Sequence, residues 1–197
     1  MFPNLIPLSG PPTAARLSAY SRPALRAHFA ALGADDLYLR FGAHRRAEVI
    51  DAYVDAIDFS VSIVLGVFDD HLELVGVAHV GPEGTGWELG LSVLAAGRRR
   101  GVGTLLLRRS MEHVRGAGAD RITMHCLSVN HKLMGLVKKC GATVFAEDGE
   151  SSGVILLPDA PSFVDWQTLA EDHMAAIQLG LKTQLLWLRL LTGCSSN

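Results

Sequence analysis

Arg98-Arg99-Arg100-Gly101-Val102-Gly103-Thr104 is the stretch of this sequence that decides the fold. It lies between an extended apolar segment, which ends near Gly97, and an amphipathic segment over residues 103–115. A strand is therefore predicted to pass directly into a helix, which leaves unpaired N–H groups and the positive end of the helix dipole at one point. Glycines there let the backbone approach an anion without a Cβ in the way. The stretch predicts a site for a diphosphate.

Two familiar diphosphate-binding motifs do not fit this stretch. A Walker loop needs Gly-Lys followed by Ser or Thr, which is absent here. A dinucleotide-binding fold needs a third glycine after the first strand of a βαβ unit, whereas these glycines follow the third strand of a predicted meander. On the motif alone, a tight strand-to-helix connection with a solvated basic cluster is an equal alternative.

Three extended apolar runs precede the stretch and predict an antiparallel meander. The runs cover residues 60–68, 72–80 and 87–93. Short connections separate them, with Asp69-Asp70 and Gly81-Pro82 as the predicted turns. Because the runs are apolar on both faces, helices are expected to cover both sides of the sheet.

The rest of the chain alternates between helical and extended patterns. Helical spacing of apolar residues is found over residues 21–33, 45–57, 103–115 and 130–139. Further strands are predicted over residues 121–129, 142–146 and 152–157. After Pro158 the periodicity is helical again, and residues 185–191 are apolar nearly all round. Packing on its own sheet and pairing with a second copy of the chain are alternative covers for that tail.

The composition predicts a folded cytoplasmic protein. Of the 197 residues, 49% are hydrophobic and 19% are charged, with a formal net charge of -2, so affinity for nucleic acid is not expected. The three cysteines are odd in number and lack C-x-x-C spacing, so neither a metal site nor a disulfide framework is predicted. The start of the chain lacks the pattern of a signal peptide, and residues 175–191 carry too many polar side chains for a membrane span.

Arg98-x-x-Gly101-x-Gly103 resembles the Arg/Gln-x-x-Gly-x-Gly/Ala signature of the GNAT superfamily of N-acyltransferases. Residues 88–93 are similar to that family's fourth strand, at the right distance before the signature. Asn130, with the helix that follows it, resembles the family's next block. Residues 37–41 resemble a segment of GNAT domains of the protein-lysine acetyltransferase type. The resemblance spans roughly residues 21–157.

The resemblance implies acetyl-CoA as the cofactor and assigns residues to each part of it. The fourth and fifth strands would splay apart, and the pantetheine arm would lie between them like an added strand. Asn130 and Met134 would line the far side of the cofactor. The pyrophosphate contacts implied are Arg98, Arg99, Arg100, Gly101, Val102, Gly103 and Thr104, and those to pantetheine are Leu91, Ser92 and Val93.

Acetyl transfer to an amine needs a base, because the amine must be neutral when it attacks. Glu88 is the first candidate, since it matches the strand position where many family members carry such a glutamate. A glutamate bonded to a neighbouring backbone group or arginine is the alternative. His79, near the end of the preceding strand, is the reserve base. Val137 stands where many members have a tyrosine that protonates the leaving thiolate.

The predicted fold class is α/β: a GNAT-like, mixed, mainly antiparallel sheet with helices on both faces and a C-terminal helical extension. Residues 1–20 are predicted as an arm or edge strand, 21–157 as the GNAT domain and 158–197 as the extension. The predicted function is transfer of acetyl from acetyl-CoA to a primary amine, on a small molecule or a protein lysine. The alternatives are a non-catalytic acyl-CoA-binding module and an interaction protein that uses the apolar tail, and a homodimer is compatible with each.

Overall fold

The computed structural model describes residues 11–84, 86–124, 130–140, 143–146, 153–157 and 166–193. Within these ranges seven strands form one sheet: β1 (Ala14–Arg16), β2 (Ile63–Phe68), β3 (Leu74–Glu83), β4 (Gly86–Val93), β5 (Arg121–Met124), β6 (Thr143–Ala146) and β7 (Gly153–Leu156). The helices described are α1 (Arg22–Ala30), α2 (Ala34–Phe41), α3 (Ala47–Ala56), α4 (Val102–Gly116), α5 (His131–Lys139) and α6 (Trp166–Gly193).

The strand order is β1-β2-β3-β4-β5-β7-β6, with antiparallel neighbours except for β4 and β5. Those two strands are parallel and pair at Glu88 with Thr123. Strands β2 to β4 therefore form the predicted meander, and β1, within the segment predicted as an arm or edge strand, pairs with β2 at the edge of the sheet. The mixed, mainly antiparallel sheet is confirmed, whereas residues 125–129, where β4 and β5 were expected to splay, lie outside the described residues.

Two strand boundaries were predicted wrongly. β3 continues through Gly81 and Pro82 to Glu83, and the turn falls at Gly84, whose φ is +55°. β2 pairs with β3 only as far as Val80, so the missing N–H of Pro82 costs no hydrogen bond on that side. β2 itself begins at Ile63, because residues 58–62 form a turn in which the Asp58 carboxylate accepts bonds from Ser60.

Helix α2 was not predicted as a helix, although its end signals are present in the sequence. Asp35 and Asp36 occupy its first turn, where their negative charges interact favourably with the positive end of the helix dipole. Gly42 follows its last residue with a φ of +69°, the left-handed conformation that ends many helices. With eight residues, α2 is too short for apolar periodicity to reveal it.

Helices cover both faces of the sheet, as predicted, and each face has its own core. On one side α4 and α5 pack against the sheet, with Leu106, Met111 and Val137 among the buried side chains. On the other side α1 and α3 pack against it, with Phe29 and Val54 fully buried. Because side chains alternate along a strand, the predicted site residues on β3 and β4 are divided between these two faces of the sheet.

Helix α6 packs against α4 and β1 of its own chain. Its first turns carry Glu171 and Asp172, which form ion pairs with the guanidinium of Arg109 on α4. Arg109 is only 1% exposed and also pairs with Glu112 at 3.0 Å. Further along, the Lys182 ammonium lies 3.3 Å from the Asp70 carboxylate. Packing on its own sheet, one of the two alternatives for the tail, is thus found for the first part of α6.

One face of α6 remains apolar and exposed. Met174, Ile177, Leu181 and Leu185 follow one another at intervals of three or four residues and are each at least 37% exposed. No helix in the described part of the chain is both long and apolar enough to cross a membrane. Cys140 is a free thiol, while Cys126 and Cys194 lie outside the described residues.

Candidate active site

The loop between β4 and α4 has the geometry expected of an anion cradle. Gly101 is the N-terminal cap of α4 with a φ of +81°, and no side chain caps the helix there. The first hydrogen bond of the helix runs from the N–H of Leu105 to the carbonyl of Gly101. The N–H groups of Val102, Gly103 and Thr104 precede that bond, so the helix supplies them with no acceptor.

The space around the two glycines fits a diphosphate that approaches the backbone. A Cβ added at Gly101 would meet no atom within 4 Å. A Cβ added at Gly103 would come 3.5 Å from Leu136 and 3.7 Å from Val93, in ordinary contact. Gly101 thus lies open, with the N–H groups beside it, and Gly103 lies against the end of β4. The residues present fit a diphosphate, such as the pyrophosphate of the cofactor that the resemblance implies.

The three arginines of the loop differ in their contacts. Arg98 donates from Nε to the carbonyl of Val93 at 3.1 Å, and its Nη2 pairs with the Asp36 carboxylate on α2. Arg99 has a φ of +60°, which is strained for a residue with a side chain, and both Arg99 and Arg100 are exposed. Arg98 is exposed as well, but its charge holds α2 against the loop, so Arg99 and Arg100 are the exposed cations that we expect to face an anion there.

The predicted pantetheine residues lie on opposite faces of β4. Leu91 and Val93 are half-buried against the core beneath α4 and α5. Ser92 points to the other face, where its hydroxyl lies 2.8 Å from Nε2 of His28. Nδ1 of His28 donates to the Leu74 carbonyl, so Nε2 is the acceptor and the Ser92 hydroxyl the donor. Only the main chain of Ser92 is thus available to a ligand beneath α4.

Asn130 has a structural role of its own at the start of α5. Its Oδ1 accepts a hydrogen bond from the N–H of Leu133 at 3.0 Å, which caps the helix. Met134 is half-buried and packs at the edge of the core beneath α5. Val137, where a tyrosine would stand in many relatives, is fully buried in that core, so α5 presents no phenol at this position.

Both predicted bases line a cavity on the face covered by α1 and α3. The cavity has a volume of about 260 Å³, and its walls include Glu88 and His79. Arg40 of α2, Tyr53 of α3, Asp58 and Ser62 are the other polar residues of its lining. The register explains the meeting of the two bases, since His79 pairs with Gly90 and Glu88 lies two residues before Gly90 on the same face of β4.

A hydrogen-bonded chain crosses this cavity. Nη2 of Arg40 donates to the Tyr53 hydroxyl at 2.6 Å, and that hydroxyl lies 2.5 Å from Nδ1 of His79. Burial raises the pKa of Tyr53, against the smaller opposing effect of the Arg40 charge. Burial and, next, the same guanidinium lower the pKa of His79 to about 4. His79 is therefore neutral at physiological pH, and its Nδ1 is engaged by the Tyr53 hydroxyl while its Nε2 is buried, which favours Glu88 for that role.

The lowered pKa of His79 predicts a loss of stability in acid. The unfolded state takes up a proton at pH 6.5 and the folded state only near pH 4, so stability falls as the pH falls through that range. We expect His79 alone to lower the free energy of unfolding by about 2 kcal/mol between pH 7 and pH 5. Burial lowers the pKa of His28 and His113 as well, so each adds a loss of the same sign.

Urea denaturation of wild type and His79→Gln at the two pH values measures this contribution. Glutamine keeps a hydrogen-bonding side chain but cannot titrate, so its stability should fall less on acidification. His71→Gln, on the exposed turn after β2, is the control and should keep the wild-type slope. Equal slopes for all three proteins would show that His79 does not titrate as described.

Arg40, Gly90 and Tyr53 are among the site residues that the sequence interpretation missed. A Cβ built on Gly90 would come 2.0 Å from Cζ of Arg40, so the guanidinium lies directly on the backbone of β4. The rings of Phe41 and Tyr53 also lie near it, at 4.7 and 5.4 Å from Cζ. A glycine in the middle of a strand signals the close approach of another group, and that was the signal available.

The sequence model of the Acetyltransferase (GNAT) family matches residues 31–142, more than half of the chain. The chain therefore belongs to the GNAT acetyltransferase family. It is an acetyl-CoA-dependent N-acyltransferase, and acetyl-CoA is its cofactor. Comparison of the sequence with curated proteins finds no match.

Solved structures share the fold at low sequence identity. The GNAT domain of S. lividans PAT superposes with a TM-score of 0.61 at 17% identity, covering 72% of this chain and 87% of that one. The structure of yncA from Salmonella typhimurium, which contains its cofactor acetyl-CoA, gives 0.57 at 16% identity and covers 78% and 97%. A chimera of spermidine N-acetyltransferase SpeG from Vibrio cholerae and hSSAT gives 0.53 at 16%, covering 74% and 93%.

Proposed function

We propose that the chain transfers the acetyl group of acetyl-CoA to a primary amine by direct attack within a ternary complex. The observation that carries the proposal is that β4 joins the two halves of the site. The cavity with Glu88 lies along this strand, and the cradle at Gly101 follows its end. A ligand bound at the cradle and extended along β4 would bring its far end to the cavity.

The cradle would hold the cofactor through the N–H groups of Val102, Gly103 and Thr104, with Arg99 and Arg100 adding positive charge. The main chain of Leu91 and Val93 pairs with β3 on one side, at Ala78 and Gly76. The opposite edge of β4 is on the side of β5, and we assign the pantetheine arm to that edge. Asn130 and Met134 would border the arm from α5.

Bound acetyl-CoA supplies the acetyl group, whose bond to sulfur breaks as the bond to the amine nitrogen forms. We assign to Glu88 the acceptance of the proton that the amine must lose. His79 is the second candidate, although the neighbouring cation opposes a proton on its ring. Because Val137 offers no acid, the thiolate takes its proton from water or leaves without one.

Calorimetric titration with acetyl-CoA, comparing wild type with Gly101→Glu, tests the cradle. A carboxylate there would repel the diphosphate and block its approach, so affinity should fall about 10- to 100-fold. Gly118→Glu is the matched control, because Gly118 has the same φ of +81°, equally open surroundings and a place at the far end of α4. Both substitutions carry the same backbone strain and the same charge.

Loss of binding in Gly101→Glu alone supports the assignment of the cradle. Equal loss in both variants would attribute the effect to strain, and the cradle would then lie elsewhere. Failure of folded wild type to bind acetyl-CoA would overturn the proposed function as a whole.

A further inference from the structure

The cavity is lined by a cation, the guanidinium of Arg40, together with the carboxylates of Glu88 and Asp58. None of the ion pairs found among the described residues includes Arg40, whereas Arg98 and Arg109 each have a carboxylate partner. Its Nε is buried and has no hydrogen-bond partner. The bond to Tyr53 and the nearby aromatic rings compensate only part of the cost of holding a charge partly out of water.

The position of Arg40 is fixed as if to receive a ligand. Helix α2 delivers the side chain, Gly90 leaves the space for its guanidinium, and the Tyr53 hydroxyl orients one edge of it. A planar guanidinium held in this way presents its remaining N–H groups to a carboxylate. An unpaired, oriented arginine that lines a cavity is therefore an anion-binding group.

The same cavity carries negative charge at a short distance. Glu88 lies two residues from Gly90 on the same face of β4, which places the two Cα atoms about 7 Å apart. Asp58 lies at the exposed rim, with its carboxylate bonded to Ser60. An acceptor whose carboxylate contacts Arg40 can thus direct its amine toward Glu88.

The size of the cavity restricts the acceptor further. Pockets for drug-sized ligands measure about 300–1,000 Å³, so a cavity of about 260 Å³ suits a smaller molecule. Polyamines and aminoglycosides carry no carboxylate, so they offer the guanidinium of Arg40 no partner. A lysine within a protein has no free carboxylate close to its amine.

We propose that the acceptor is a small amine with its own carboxylate, such as an α-amino acid, and that Arg40 binds the carboxylate while Glu88 faces the amine. This inference rests on the proposed function and names the substrate class for the same site. Arg40 is then the residue that determines specificity.

Matched pairs of acceptors test the inference by release of the CoA thiol. Each pair contains an amino acid and the amine that lacks its carboxylate: phenylalanine with phenethylamine, and lysine with cadaverine. Wild type should use at least one amino acid with a kcat/KM about 100-fold above that of its partner. Arg40→Gln should lower kcat/KM for that amino acid about 100-fold, mainly through KM, and leave its partner unchanged. Arg40→Lys should retain only part of the wild-type kcat/KM for the amino acid, because an ammonium lacks the planar fork of a guanidinium.

Gly90→Ala displaces the guanidinium without removing it, because the new methyl group would lie 2.0 Å from Cζ of Arg40. It should reproduce the selective loss of Arg40→Gln. Gly86→Ala is the matched control on the same strand and face, where a Cβ would meet its nearest atom at 3.8 Å. That variant should keep the wild-type preference, and circular dichroism should show the same fold in each protein.

Three outcomes overturn the inference at different levels. Equal use of each amino acid and its partner amine would show that the carboxylate is not recognised, and the proposed function would be unaffected. Binding of acetyl-CoA without acetylation of any amino acid would also exclude this substrate class, while the assignment of the cradle would be unaffected. Absence of acetyl-CoA binding would overturn the proposed function and the inference together.

Discussion

Glu88→Gln is expected to lower kcat for acetyl transfer by about 10²- to 10⁴-fold, the range for loss of a general base. The amide keeps the size of the carboxylate and its hydrogen-bond acceptor but cannot take up the proton of the amine. Glu88 lies half-buried in the cavity with Arg40 and His79, on the strand that leads to the cradle. Calorimetry should show unchanged affinity for acetyl-CoA, because the cradle is at the other end of that strand.

Two further variants identify the base. Glu83→Gln, an exposed glutamate on β3, is the matched control and should retain full activity. His79→Gln should lower kcat less than Glu88→Gln does, since Nδ1 of His79 already contacts the Tyr53 hydroxyl and its Nε2 is buried. A larger effect of His79→Gln would assign the proton to the imidazole instead.

Arg109→Met is expected to lower the free energy of unfolding by about 3 kcal/mol, at the lower end of the range for breaking a buried ion pair. Three carboxylates, those of Glu112, Glu171 and Asp172, surround this guanidinium and would lose their counter-charge. The carboxylates retain between 14% and 33% exposure, which lets water compensate part of the loss. Urea denaturation followed by circular dichroism measures the change.

Arg108→Met is the control for this prediction, because it removes the neighbouring charge on the same helix. Arg108 is 49% exposed and pairs with the same Glu112 and Glu171 at longer distances of 3.7 and 3.5 Å. Exposed pairs of this kind contribute about 0–1 kcal/mol. Similar losses in the two variants would mean that burial of Arg109 is not what makes its ion pairs stabilising.

The order of strands and helices along the chain could be predicted because it depends on local sequence patterns. Alternation and turn residues reveal the meander of β2 to β4, and the glycines at 101 and 103 mark the passage from strand to helix. The boundaries were less accurate, since the end of β3 depends on where β2 stops beside it. Pro82 fits in β3 only because β2 has already ended beside it, and no local pattern in the sequence encodes where β2 ends.

The composition of the candidate site was harder to predict, because its residues meet through the tertiary fold. Arg40 acts on a strand fifty residues later, and its position depends on a helix too short to show periodicity. His28 of α1 likewise fixes Ser92, which lies 64 residues later in the chain. Glu88 was predicted from the family resemblance and His79 from its place near the end of the preceding strand, and the register of these adjacent strands places the two residues together.

Helix α2 limits how this protein can acquire new acceptors during evolution. Asp36 and Arg40 are one helical turn apart, and they engage the cradle through Arg98 and the cavity through Tyr53. A change that rotates or shifts α2 to suit another acceptor would also withdraw Asp36 from the loop that we assign to the cofactor. Adaptive substitutions should therefore accumulate first at cavity positions outside α2, such as Val61 and Pro82, which can vary without that linkage.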